Sequence, residues 1–247
     1  MHLVAIAELK GPIETPQLTA LASDLGTTAY ELRLLLNAGL PAVVLVTTDL
    51  AQAKAAAAAI AQHQHAAISC DRSQILASSS MTTFRDFELG EGELIIDRTT
   101  RVSCRYDELR LMLRAVHRSS RQSVEQVKER QIRPVTALAT GGMVMSKKVT
   151  KDVTTTTTDR ENVLYLFRHG KEHPWILRER GANYASLGQA MGPSSYENFT
   201  TTIARLRQLA PNAVYDERLV NSRPIRGIGD AGDAVDILAY LIAGSSA

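Results

Sequence analysis

The first seventy residues alternate between short apolar runs and leucines at helical spacing. The run 3–9 is apolar and is followed by Gly11 and Pro12, which predicts a strand and a turn. Two helix starts follow, one with Thr15 as N-cap before Pro16 and one at the capping box Thr28–Glu31. Leucines spaced by three or four residues after each start predict two helices.

The same region continues with a strand, a helix and a strand. The β-branched run 43–46 has no polar alternation, so we expect a strand buried on both faces. Asp49 can cap an alanine-rich helix that reaches about residue 64, and the segment 66–70 predicts the third strand. The order β-α-α-β-α-β predicts one three-stranded sheet with helices on one face.

This order, with Leu25-Gly26 at the joint between the first two helices, resembles the C-terminal domain of the bacterial ribosomal stalk protein. The resemblance covers about 70 residues and implies that fold for residues 1–76. The family contacts translation factors through lysines in and just after a G-L-G-L-K-E-A-K stretch. This chain has Thr28 and Glu31 in place of those lysines. The resemblance therefore implies the fold of that domain but not its role in translation.

Beyond the small polar stretch 76–83, a candidate linker, the pattern is typical of strands. Two strand-like runs flank the short loop 90–92 and predict a hairpin, and residues 109–116 alternate with period two. Further strands are expected at 163–167 and 175–177, and the capping box Ser194–Glu197 begins an amphipathic helix that ends at Pro211. Strands followed by one helix resemble a pleckstrin-homology-like domain over residues 84–210.

We therefore predict an α+β fold of two domains, 1–76 and 84–210. Residues 119–159 have little pattern and predict a long flexible insertion in the second domain. Residues 211–247 form a C-terminal tail with a helix at 231–243.

The amino-acid composition limits the classes of protein to which this chain can belong. Of the 247 residues, 45% are apolar and 22% charged, which is ordinary for a globular chain. The apolar runs are too short to span a bilayer, and the N-terminus has no signal-peptide pattern. The two cysteines, Cys70 and Cys104, have no C-x-x-C spacing. We expect a soluble cytoplasmic protein with no metal site and no cofactor.

The net charge of +2 hides a local concentration of basic residues. Residues 98–151 carry 13 Lys and Arg against four Asp and Glu. Arg110, Arg114 and Arg118 recur every four residues, a spacing that places them on one face of a strand or a helix. The predicted basic face also includes four further side chains, Arg121, Lys147, Lys148 and Lys151.

Three arginines on one face repel one another unless they are solvated, paired or facing an anion. The basic face therefore predicts binding of a phosphate, an anionic lipid head group or an acidic protein. The alternative is a solvated sheet face partly neutralised by Asp107 and Glu108. Nucleic acid is a less favoured partner, because the only aromatic residue of this basic stretch is Tyr106 and base-stacking platforms are scarce.

One motif suggests catalysis. Arg168-His169-Gly170 follows an apolar run and resembles the opening strand of histidine phosphatases, which implies that Arg168 holds a phosphate and His169 becomes phosphorylated. That chemistry also needs a second histidine, a further arginine and an acid from a long downstream sheet. Only 77 residues follow Gly170, and their one histidine is His173. We assign no catalytic residue on this basis.

The sequence thus predicts a non-catalytic interaction or adaptor protein that binds an acidic protein or anionic ligand through its basic face. A phosphate-handling enzyme centred on Arg168 and His169 is the alternative, and binding to an anionic membrane surface is a further one. The partner's identity and the oligomeric state are not determined by the sequence.

Overall fold

The computed structural model describes residues 1–97, 102–131, 147–171, 173–221 and 231–245. It combines helices with three β-sheets and confirms the α+β class. No helix of these ranges is long and apolar enough to cross a membrane.

The N-terminal region forms a three-stranded antiparallel sheet with three helices on one face. In chain order its elements are β1 (His2–Glu8), α1 (Thr15–Asp24), α2 (Ala29–Asn37), β2 (Ala42–Thr47), α3 (Leu50–Gln62) and β3 (Ala66–Asp71). The strand order is β2-β1-β3. Val4 and Ile6 of β1 pack under the helices, whereas Leu3 and Ala5 face a second core. The elements follow the predicted order, and helices α1, α2 and α3 share one face of this sheet.

Two local details differ from the sequence-based expectation. The N-cap of α1 is Glu14 rather than Thr15, and the Glu14 backbone N–H donates to Gln17 Oε1 at 3.1 Å. Strand β2 is not buried on both faces, because it is an edge strand and most of it is only half-buried. The fully buried strand is the central one, β1.

Eight more strands and two α-helices follow in the described chain. They are β4 (Thr82–Phe84), β5 (Glu88–Leu89), β6 (Glu93–Asp97), β7 (Val102–Arg105), β8 (Leu109–Gln131), β9 (Lys147–Arg168), β10 (Trp175–Arg178), α4 (Ser195–Leu209), β11 (Val214–Leu219) and α5 (Ala231–Ser245). Five strands form a mixed sheet in the order β11-β8-β9-β10-β4, with β11 parallel to β8 and β4 parallel to β10. A small antiparallel sheet has the order β5-β6-β7 and contains the predicted hairpin.

Helix α5 lies between the three-stranded and the five-stranded sheets. Its described side chains are buried on nearly every side, and they share one core with β1 and with strands β8 and β9. A helix that is apolar all round needs apolar surface on both sides, which two sheets supply. The predicted ranges 1–76, 84–210 and 211–247 therefore all contribute to this one core.

The compact units of the structure are residues 1–117 with 161–247, and residues 118–160. The second unit contains the whole segment 119–159 that was expected to be a flexible insertion. Its described parts are regular strand, because β8 continues to Gln131 and β9 begins at Lys147. The polar side chains there have no apolar alternation, so strand structure was not visible in the pattern.

Candidate anion-binding groove

Strand β8 carries the predicted arginines, but it does not present them on one face. Leu109 and Met112 belong to the core beneath α4, whereas Leu111 belongs to the core beneath α5. Residues three apart share a face only where the period-two alternation of a strand is interrupted. The guanidinium groups of Arg110 and Arg114 consequently reach opposite faces of the sheet, which corrects the prediction of a single face.

Arg110 serves the C-terminus of helix α5. Its Nη1 donates to the backbone oxygen of Ala243 at 2.7 Å, and its guanidinium lies 5.6 Å from the centre of the Phe167 ring. A cation at a helix C-terminus interacts favourably with the unpaired carbonyl groups and the helix dipole. Burial lowers the pKa of Arg110. These contacts with Ala243 and Phe167 give Arg110 a structural role at the end of α5.

Arg114 lies at an open groove instead. Its Nη2 and Nε are 3.1 and 3.4 Å from Asn162 Oδ1, and its guanidinium is 5.8 Å from the centre of the Tyr196 ring. Asn162 in turn donates through Nδ2 to Glu179 Oε2 at 2.6 Å, which fixes the orientation of the amide. Within the described part of the chain, no salt bridge joins Arg114 to a carboxylate.

The Arg114 groove is the cleft bounded by Arg114, Tyr196 and strand β11, with a volume of about 780 Å³. Tyr196 and Val214 are each 52% exposed, so both present apolar surface at the groove. The β11 edge of the five-stranded sheet forms one wall. The groove therefore combines a cation, an exposed aromatic ring and an apolar patch.

The acidic side chains of the β11 wall already have partners. Asp216 forms a salt bridge with Arg218 at 2.7 Å, and Glu217 accepts a hydrogen bond from the Tyr215 hydroxyl at 3.2 Å. Arg207 of α4 stacks over the Tyr215 ring at 4.4 Å. Burial raises the pKa of Tyr215, and the neighbouring Glu217 carboxylate raises it further. The phenol is therefore protonated at neutral pH and can donate.

The remaining members of the predicted basic face are not all described. Arg118 is half-buried and is the first residue of the second unit. The side chains of Arg121, Lys147, Lys148 and Lys151 lie outside the described residues, so their part in binding stays a prediction. Asp107, proposed to neutralise the face, pairs with Arg105 instead.

The Arg168–His169 motif has a different setting from the one its resemblance implies. The guanidinium of Arg168 stacks on the Trp175 ring at 3.9 Å, and its Nη2 donates to the His173 backbone oxygen at 3.5 Å. Its Nε is buried and has no hydrogen-bond partner among the described residues. His169 is exposed, and its backbone N–H donates to the Glu108 oxygen. One face of the Arg168 guanidinium is therefore covered by the Trp175 ring.

The sequence did not reveal one buried polar network. Tyr165 Oη lies 2.6 Å from both Asp236 Oδ1 and His117 Nε2, and Asp236 Oδ2 accepts from the Ser78 backbone N–H at 2.7 Å. The available signal was Asp236, a carboxylate within the apolar run of α5. In the described ranges, no three His, Cys, Asp or Glu side chains are grouped closely enough to hold a metal ion.

Comparison with known proteins gives no relative. Neither the profiles of known protein families, nor the curated proteins, nor the solved structures contain a significant match to this chain.

Proposed function

We propose that this protein is a non-catalytic interaction module that binds an acidic protein segment at the Arg114 groove. The observation that carries the proposal is the position of Arg114. Its guanidinium is held in place by the neutral Asn162 amide in a groove, and no carboxylate of the described chain neutralises it.

Charge and chemistry favour an acidic segment as the occupant. Asp216 is paired with Arg218, and Glu217 accepts a hydrogen bond from the Tyr215 hydroxyl, so neither carboxylate of the β11 wall is bonded to Arg114 in the described chain. A carboxylate that reaches Arg114 can form a charge-assisted hydrogen bond, and such bonds contribute about 1.5–3 kcal/mol each. Exposed Tyr196 and Val214 offer apolar contact beside the charge, as is usual in protein interfaces.

The test is binding of a fluorescein-labelled oligoglutamate peptide to the full chain, followed by fluorescence anisotropy. Arg114→Ala is expected to weaken binding roughly tenfold to a hundredfold, because it removes the charge-assisted contact. Arg114→Lys keeps the charge but loses the planar donor geometry, so we expect intermediate affinity. Affinity should also fall as salt rises from about 0.1 to 1 M, since screening shortens the range of the interaction.

Arg33→Ala is the matched control, because Arg33 is an exposed arginine on helix α2 outside the groove. It should bind the peptide as the unchanged protein does. Absence of binding, or equal affinity of the Arg114→Ala and Arg33→Ala variants, would contradict the proposal.

Two further assays, one with Arg114→Ala and one with His169→Ala, separate the two alternatives. Sedimentation with phosphatidylserine vesicles that is lost in Arg114→Ala would assign the groove to an anionic membrane surface. Hydrolysis of a generic phosphomonoester that disappears in His169→Ala would favour the phosphate-handling enzyme instead.

A cytoplasmic setting is part of this proposal, because both cysteines are free thiols and thiols stay reduced there. The resemblances to the ribosomal stalk domain and to the pleckstrin-homology-like architecture also stay predictions. Neither is needed for binding at the groove.

A further inference from the structure

Glu179 directly follows strand β10 and is not among the residues that line the Arg114 groove. Its backbone is held on both sides. The Glu179 N–H donates to the Asn162 backbone oxygen at 2.9 Å, and the Glu179 carbonyl accepts from the Tyr184 hydroxyl at 2.8 Å. The position of the Glu179 side chain is therefore set by the packing of β9, β10 and the segment Tyr184–Ala190.

The Glu179 carboxylate connects two walls of the groove. Its Oε2 accepts from Asn162 Nδ2 at 2.6 Å and from the Asn162 backbone N–H at 3.4 Å. Its Oε1 accepts from the Ser195 hydroxyl at 3.1 Å. Ser195 is the first residue of α4 and precedes Tyr196, whose ring lies beside Arg114. One carboxylate thus bonds both to the residue that contacts Arg114 and to the start of the helix that carries Tyr196.

The chemistry of a carboxylate determines how the Asn162 amide is turned. A carboxylate accepts hydrogen bonds and donates none, so the amide nitrogen of Asn162 faces Glu179. The amide oxygen is then on the other side, where it accepts from Arg114 Nη2 and Nε. The reversed amide would place N–H donors against N–H donors. Glu179 therefore determines which group Arg114 meets, although it forms no bond to Arg114 in the described chain.

We propose that Glu179 is a positioning residue that prepares Arg114 to bind a carboxylate of the ligand. This inference rests on the proposed binding of an acidic segment at the groove. The bonds to Asn162 use the Nε–Nη2 edge of the guanidinium, so the ligand carboxylate binds at the Nη1–Nη2 end, where two parallel N–H···O bonds can form. A guanidinium that is already ordered loses less rotational freedom on binding, which raises affinity.

Charge repulsion alone predicts the opposite effect of removing Glu179. An acidic peptide is repelled by a carboxylate near the groove, so Glu179→Gln should strengthen binding if only charge matters. Positioning predicts weaker binding, because a glutamine side chain can also donate and no longer fixes the Asn162 amide in one orientation. The direction of the change in affinity therefore separates the two explanations.

The first test compares Glu179→Gln with Glu161→Gln in the full chain, by anisotropy of the labelled oligoglutamate peptide. Glu161 is the matched control, because it is a partly buried carboxylate of β9 that bonds Arg178 at 3.0 Å and the Arg180 backbone N–H at 3.2 Å. Both variants remove one negative charge. Glu179→Gln should bind the peptide at least about fivefold more weakly than Glu161→Gln, since a neutral acceptor holds Asn162 less strongly.

The second test needs no ligand. In the full chain labelled with ¹⁵N, exchange of the Arg114 Nε–H with water is measured at mildly acidic pH, and Arg114→Lys identifies the signal. Exchange follows the population of the opened side chain, so Glu179→Gln should accelerate it at least about threefold, whereas Glu161→Gln should not. The exposed Arg33 is the reference, and its exchange should be the same in both variants.

Two results would overturn the role of Glu179. One is peptide binding by Glu179→Gln that is as tight as, or tighter than, binding by Glu161→Gln. The other is equal exchange of the Arg114 Nε–H in the two variants. If the unchanged protein does not bind the peptide, the proposed function fails, and the exchange measurement still decides whether Glu179 positions Arg114.

Discussion

Tyr165 is a fully buried side chain whose hydroxyl oxygen lies within hydrogen-bond distance of both Asp236 and His117. Burial raises its pKa well above the usual value, and the adjacent Asp236 carboxylate adds to the effect. The phenol therefore stays protonated and donates to Asp236, so its oxygen accepts from His117 Nε2. These bonds satisfy polar groups where the two sheets and α5 would otherwise bury them unpaired.

Removal of the Tyr165 hydroxyl should destabilise the protein. Tyr165→Phe keeps the ring but takes a donor from a carboxylate that is 2% exposed. A hydrogen bond to a charged group contributes about 1.5–3 kcal/mol, and we expect a loss of that size in the free energy of unfolding measured with urea. Tyr30→Phe, at a site that is 69% exposed, is the matched control and should change stability by less than about 0.5 kcal/mol. Equal stability of the two variants would show that the network contributes nothing.

Cys104 should be inert in the folded protein. Burial raises the pKa of its thiol to about 12, with a smaller contribution from Glu108. Only the thiolate reacts, so alkylation of a Cys70→Ser variant by iodoacetamide at pH 8 should be roughly a thousandfold slower folded than unfolded, where the thiol pKa is about 8.5. Similar rates in the two states would contradict the burial of Cys104.

The same shift gives a pH dependence of stability with a definite sign. As pH rises past about 8.5, the unfolded chain loses the Cys104 proton while the folded chain keeps it. The free energy of unfolding should therefore decrease between about pH 8.5 and 12, and below that range this contribution is fully present.

Individual residues also show why the site was only partly predictable. The four-residue spacing of Arg110 and Arg114 was visible in the sequence. Their placement on opposite faces of the sheet depends on an interruption near Leu111 in the alternation of side chains between the two faces, and the sequence did not show it. Nothing in the sequence indicated that Asn162 or Tyr196 would contact Arg114, because both are distant along the chain.

At the scale of elements, local signals were the reliable ones. The capping box of Thr28 and Glu31 forms as predicted, with reciprocal hydrogen bonds between side chain and backbone. Ser194 likewise accepts from the Glu197 backbone N–H and begins α4. These bonds form within four residues, so sequence spacing alone determines them. The burial of β2 and the presence of β11 depend on which strands pair, which sequence spacing does not determine.

Helix α5 should be intolerant of added volume. Ala239 is fully buried between the two sheets, so Ala239→Leu forces extra methyl groups into a packed core and should cost about 1–3 kcal/mol. Thermal unfolding followed by circular dichroism measures the effect. Ala61→Leu, on the exposed face of α3, is the control and should leave stability within about 0.5 kcal/mol. A neutral Ala239→Leu variant would contradict the position of α5 between the sheets.

At the scale of the whole molecule, the described strands of the five-stranded sheet end in β11 on one side and in β4 on the other. The β11 side carries the Arg114 groove with exposed Tyr196, and residues of β4 line a cavity together with Phe87 and Asn183. Helix α5 and the paired β8 and β9 hold these edges on one core.

The most direct test of the central claim observes the Arg114 guanidinium itself. In the full chain labelled with ¹⁵N, the Nε–H resonance of each arginine is followed while an oligoglutamate peptide is added, and Arg114→Lys identifies the Arg114 signal. Binding at the groove predicts that the Arg114 resonance shifts in a saturable way while the Arg33 resonance stays in place. A peptide that saturates the protein without moving the Arg114 resonance would contradict the account.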